Sequence, residues 1–318
     1  MNSRIILSVL IAFSIVFGSL FFIFFNPITV ETNTNQYSSF SSTIDKKSQN
    51  LFLLGSSHIG QLNSSLIVNS IHKNYPNTKI FNLATNGDTP NRRISDISYV
   101  TNMNPDFVFY GISFRDFDSP NQSVSKYFLP DLKLLVDQSI PDYFESLNPQ
   151  FISRTIIKDI LQNYGLIDVS EYDINPTNTP FFSLGHLETI ILEEPELERL
   201  LLTTNPSPQS LYIPISNNEQ VNSFKKIIQE LKNNDIQVII FTVPIHDFYL
   251  DNISIETKSS FNQILNNISD EYDVRIYNFT NKYSGLKIWN NLDHIAYNEN
   301  SNIFSSDISE MLIMEIDE

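Results

Sequence analysis

Two short stretches near opposite ends of the chain hold residue types that together could move a proton and attack a carbonyl. Gly55-Ser56-Ser57-His58 follows an apolar run at 51–54. A Gly-x-Ser turn between a strand and a helix exposes a hydroxyl beside the free N–H groups of the helix start, the setting a serine nucleophile needs. The same residue types also serve as plain turns and caps. Asn291-Leu292-Asp293-His294 puts an imidazole and two candidate partners for it in one loop. Three further polar stretches follow apolar runs. Asn86-Gly87 can bring a backbone N–H close to a substrate or simply serve a turn. Ser113 precedes Arg115-Asp116, which reads either as an internal ion pair or as a clamp on an anion. His246 is a second candidate for contact with substrate, or for the base in place of His294, and His58 either lines the pocket or polarises a helix start.

For these residues to meet, the elements between them must deliver them to one edge. Apolar runs at 51–54, 79–83, 107–112, 237–243 and 274–279 read as strands, and helical spacing appears at 61–74, 88–103, 217–233, 256–269 and 298–316. Strands alternating with helices predict a mostly parallel sheet covered on both faces, with ligands bound beyond the carboxyl ends of the strands. The rhythm breaks at about 115–214, where helix-like pieces at 124–138, 151–163 and 184–202 predict a helical insertion in the position of a lid or cap.

The order and spacing of the motifs resemble the SGNH (GDSL-like) hydrolase superfamily, with its Gly-Asp-Ser, a Gly after the second strand, Gly-x-Asn-Asp after the third, and Asp-x-x-His near the C-terminus. Leu54-Gly55-Ser56-Ser57-His58, the stretch from Phe81 to Gly87, and Leu292-Asp293-His294-Ile295 are similar to membrane-anchored members that handle acyl groups of surface polymers. The resemblance implies a flavodoxin-like three-layer sandwich with a mostly parallel five-stranded sheet over residues 50–318. It implies Ser57 as nucleophile, His294 as general base, and Gly87 beside the Ser57 N–H as oxyanion donors. The chain departs from the pattern twice. Ser113 stands where the family has its oxyanion Asn, and Asn291 where it has the Asp of Asp-x-x-His. Asp293 can take over the acid's role, or Ser57 and His294 work as a dyad. The implied function is an extracytoplasmic serine ester hydrolase or O-acyltransferase acting on a surface glycan or lipid ester. The alternative is a non-catalytic surface or glycan-binding protein that keeps the fold.

Residues 5–25 carry no charge and are nearly all apolar, long enough for a transmembrane helix of ~20 residues. Arg4 precedes the run and Glu31 is the first charge after it, which places the N-terminus in the cytoplasm and the rest outside. The reading is a single-pass anchor over 1–28 and a flexible Ser/Thr/Asn-rich stalk over 29–49, with a cleaved signal peptide as its rival. In a chain of 318 residues, 41% hydrophobic and 12% aromatic content suffices for a core. A net charge of −16 without a Lys/Arg cluster excludes a nucleic-acid partner. The lack of cysteine removes disulfides, thiolate metal sites and cysteine nucleophiles. Five histidines without ligand spacing and no Gly-rich phosphate loop predict neither a metal nor a cofactor. Nothing in the sequence sets the oligomeric state.

Overall fold

The computed structural model describes residues 44, 47–117, 187–203 and 215–317. Strands β1 (Asn50–Leu54), β2 (Lys79–Asn82), β3 (Phe107–Ile112), β4 (Gln237–Thr242) and β5 (Arg275–Asn278) form one sheet in the order β2-β1-β3-β4-β5. Every neighbouring pair is parallel. Both β1 and β3 are buried along their whole length, as strands covered on two faces must be, and this explains the apolar runs Leu51–Leu54 and Phe107–Tyr110. A sheet in this order switches its winding between β1 and β3, so a crevice opens beyond the carboxyl ends of those two strands.

The helices are α1 (Ser57–Gly60), α2 (Ser64–His72), α3 (Pro90–Arg93), α4 (Ile97–Met103), α5 (Glu194–Thr203), α6 (Glu219–Asn233), α7 (Asp247–Asn252), α8 (Ile255–Tyr272) and α9 (Ile303–Asp317). Helix α2 packs on α9, whereas α6 packs on α3, α4 and α8, giving the two outer layers of a three-layer sandwich. The sequence of α6 shows why it lies as it does. Val221, Phe224, Ile227, Ile228 and Leu231 form one buried stripe at helical spacing, while Lys226, Gln229 and Glu230 face solvent. Asn218 caps it, accepting from the N–H groups of Gln220 and Val221, and its amide donates to the Phe117 carbonyl. The sheet and its helices form the mostly parallel, five-stranded three-layer sandwich expected from the sequence.

Three expectations change. The helix expected over 88–103 is two helices, α3 and α4, because the Ser95 hydroxyl donates to the Arg92 carbonyl at 2.7 Å and competes with helix continuation. The helix expected over 184–202 begins only at Glu194, where Pro195 fits a first turn and the Glu196 carboxylate accepts from the Glu193 N–H. Residues 187–193 instead run as a strap: the Leu192 N–H donates to Trp289 and the Tyr297 N–H to the carbonyl of Glu188. Helix α7, after β4, has no counterpart among the expected elements. The 3-10 turn Phe114–Phe117 overlaps the expected start of the insertion, yet Phe117 is fully buried near Phe224 and Phe261. The pieces at 124–138 and 151–163, the apolar span 5–25 and the stalk up to residue 43 lie outside the described residues. Among the described residues, no helix is long and apolar enough to cross a membrane.

Candidate active site

Ser57 is held at the end of β1 by close packing. Gly55 has φ +141°, and a Cβ there would lie 2.7 Å from the Gly111 carbonyl oxygen and 2.6 Å from Ile59 Cγ1. A Cβ on Gly111 would lie 2.2 Å from Ile59 Cδ1. The two glycines therefore let α1 press onto β3, with Ile59 occupying the space a side chain would need. Asn82, at the end of β2, pins the same helix by donating to the Ile59 carbonyl at 2.8 Å. Ser57 is the first residue of α1 and half-buried. No side chain caps that helix, because Ser56 Oγ bonds instead to His58 Nδ1 at 2.7 Å. The first N–H groups of α1 lack intrahelical partners by geometry and remain available to an anion.

The second half of the site is a loop braced from within. Asn291 Oδ1 accepts from the N–H groups of Asp293 at 2.9 Å and His294 at 2.8 Å, and this tight turn lets Asp293 bend back onto its own neighbour. Asp293 Oδ1 lies 2.7 Å from His294 Nδ1, whereas Asn291 Oδ1 lies 3.2 Å from it. His294 Nε2 lies 2.7 Å from Ser57 Oγ, 237 positions away in sequence. The tautomer that satisfies both contacts has Nδ1–H donating to Asp293 and Nε2 accepting from the serine hydroxyl. Burial favours the neutral carboxyl of Asp293, but the His294 hydrogen bond and the charges of His294, His58 and Arg115 outweigh it and hold the group well below the ordinary carboxylate range. Asp293 is therefore a carboxylate, and Asn291 is a brace for the loop.

Arg115 donates to Asp293 Oδ2 at 2.5 Å, so its partner is not Asp116. Asp116 instead accepts from the Ser113 N–H at 2.5 Å, and burial pushes its carboxyl up to about 7 against the opposing hydrogen bonds from Ser113. The backbone N–H of Ser113 is thus committed to Asp116. Gly87, at φ +60°, and Asn86 sit exposed in the turn after β2. The Thr85 N–H donates to the Gly55 carbonyl at 3.1 Å, which draws this turn alongside the corner that carries Ser57. Beneath it, buried Arg93 donates to Asp88 Oδ2 from Nε at 2.8 Å and from Nη2 at 2.6 Å, and to the Leu83 carbonyl at 3.0 Å. His246 caps α7 through Nδ1, stands edge-on to Trp289, and donates its N–H to the Leu292 carbonyl. It supports the His294 loop and makes no bond to Ser57.

The structure thus brings Ser57, His294, Asp293, Asn291, Arg115 and His58 into one cluster, sets Asn86 and Gly87 in the neighbouring turn, and leaves Ser113 and His246 as supports. Sequence reasoning missed the roles of Ser56, Asn82 and the Asp88–Arg93 pair. Asn82 carried a usable signal, a polar residue closing a buried strand. His58, Asp293 and His294 also place potential metal-ligating atoms within 4.8 Å of one another, a convergence that their sequence spacing hid. The two rings are stacked, 4.2 Å apart and 7° from parallel, so their in-plane lone pairs do not converge on one point. With a guanidinium already on Asp293 Oδ2, the cluster suits proton transfer better than a cation.

No known protein family matches the sequence, and no curated relative does. Among solved structures, TesA is similar at 9% identity and a TM-score of 0.42, over 83% of this chain and 96% of that one. A catalytic mutant of Axe2, an acetylxylan esterase from Geobacillus stearothermophilus, is similar at 10% identity and a TM-score of 0.41, over 82% of this chain and 93% of that one. At so low a likeness they assign no activity to this chain. Its own atoms supply a hydroxyl, a base aimed at it, and an acid that orients the base, the elements of nucleophilic acyl transfer.

Proposed function

We propose that the protein is a serine ester hydrolase or O-acyltransferase. The observation that carries this reading is the unbroken chain from Ser57 Oγ to His294 Nε2 and from His294 Nδ1 to Asp293 Oδ1, 2.7 Å at each step. His294 takes the hydroxyl proton as Ser57 Oγ bonds to the ester carbon, and the anionic Asp293 stabilises the imidazolium that forms. The N–H groups of Ser57 and Gly87 receive the oxyanion. Collapse of the tetrahedral species breaks the ester C–O bond, with His294 returning the proton to the departing alcohol. A second hydroxyl, from water or from a glycan, then gives its proton to His294 and takes the acyl group. The apolar span at 5–25 supports an anchored protein with its catalytic domain outside the membrane, facing a surface glycan or lipid ester.

The test is a panel of acyl esters from acetyl upward, incubated with the full chain in detergent, with and without a soluble glycan acceptor. Turnover that Ser57→Ala abolishes supports the reading, and acylated glycan among the products identifies a transferase. A folded protein that turns over no ester at any chain length, yet binds a surface glycan, would instead be a non-catalytic binder.

A further inference from the structure

We infer that His58 is a positioning residue for His294, a flat floor that fixes the tilt of the reacting imidazole. The inference rests on the serine-hydrolase reading of the same site. Two hydrogen bonds, one at each ring nitrogen, fix an axis through the His294 ring but leave the ring free to rock about that axis. Rocking swings the Nε2 lone pair off the serine hydroxyl, and misplacement of ~1 Å costs on the order of 10²-fold in rate. The His58 ring lies against the face of His294, with centroids 4.2 Å apart and planes 7° from parallel, and blocks that motion. His58 is itself locked: it sits in α1, is 8% exposed, and Ser56 Oγ holds its Nδ1 at 2.7 Å.

The chemistry of the floor is consistent with its place. Burial first, and then the charge of His294, push the His58 imidazole down to about 3, so it is neutral when His294 takes a proton and does not repel it. Its Nε2 lies 3.9 Å from Asp293 Oδ2, too far for a direct hydrogen bond to that carboxylate. The stacked geometry has the ring engage His294 through its face. A small cavity of about 20 Å³, lined by His58, Asp293 and Ser301 among others, adjoins the ring. It leaves room for the one extra ring atom of a phenylalanine.

The test compares the full-length parent with His58→Phe, which keeps a flat ring, and with His58→Ala and His58→Leu, which do not. The leucine variant guards against a mere folding defect, because it refills the volume with a side chain that is not planar. The rate of Ser57 labelling by a fluorophosphonate, and kcat and KM on an ester, are read for each. His58→Phe is expected within about threefold of the parent, while the leucine and alanine variants lose on the order of 10²-fold in labelling and in kcat with KM little changed. A proton NMR spectrum follows the strongly deshielded His294 Nδ1–H, which needs no turnover. It is expected sharp in the parent and His58→Phe, and broadened in His58→Leu. Folded His58→Leu at the parent's rate with a sharp signal, or His58→Phe as slow as His58→Ala, overturns the inference. A parent that neither labels nor turns over defeats the hydrolase reading instead, and the NMR comparison still decides the role of His58.

Discussion

Two aspartate–arginine pairs sit at the strand ends of this protein, and they are built to opposite purposes. Asp88 and Arg93 are five residues apart, with side chains 4% and 1% exposed, and the guanidinium Nη2 also reaches the Leu83 carbonyl and the Thr85 hydroxyl. Asp293 and Arg115 are 178 residues apart, and the arginine is half exposed. In the first pair burial raises the Asp88 carboxyl and Arg93 only offsets it; in the second, hydrogen bonding and nearby charge overcome burial. The first pair is closed on itself and ties down the turn that carries Gly87. The second leaves Asp293 Oδ1 for His294 and so ends at the half-buried Ser57 hydroxyl. A buried charge cluster with every group satisfied holds a loop; one that terminates in a half-buried nucleophile can do chemistry.

The comparison can be broken from either side. The largest effect is expected on the open pair: Asp293→Asn should lower kcat by ~10⁴-fold, with little change in thermal stability, because an amide can hold the imidazole in the wrong tautomer and cannot balance its charge. On the closed pair, Arg93→Met should cost ~3–5 kcal/mol in chemical denaturation, since it strands a buried carboxyl, while molecules that remain folded keep near-parental turnover. The double variant Asp88→Leu with Arg93→Met should recover much of that stability. Equal loss of turnover in the two single variants would erase the distinction between the pairs.

A smaller effect sharpens the division of labour within the catalytic loop. Asn291→Ala removes the brace but not the charge, so a loss of no more than ~10²-fold in kcat is expected, well short of that for Asp293→Asn. A different kind of effect concerns Asp116, whose carboxyl is pushed up to about 7 in the folded protein from ~4 when unfolded. The folded state binds that proton more tightly, so its contribution to stability is full below ~4 and is lost as pH rises through about 7. Denaturation curves collected from pH 4 to 8 should therefore fall less steeply for Asp116→Asn than for the parent.

Much of this was legible in the sequence because it depends on local pattern. The apolar runs within β1 and β3 marked buried parallel strands, and Ser57 and His294 followed strand ends where ligands bind. What stayed hidden depends on tertiary contact. The split between α3 and α4 turns on one hydroxyl, that of Ser95. Arg115 looked toward adjacent Asp116 because sequence shows neighbours, whereas its partner comes from a loop 178 residues on. The choice between Asn291 and Asp293 could not be made from spacing, because the turn that lets Asp293 reach its neighbour exists only once Asn291 has bonded both backbone N–H groups. The stacking of His58 on His294 left no trace at all in residue order.

The most direct test is mass spectrometry of the full chain after exposure to a fluorophosphonate, followed by mapping of the modified peptide. One adduct is expected on Ser57, formed slowly or not at all in His294→Ala and absent in Ser57→Ala. A folded parent protein that acquires no adduct, or acquires it elsewhere while Ser57 stays unmodified, would contradict the assignment of this hydroxyl as the nucleophile.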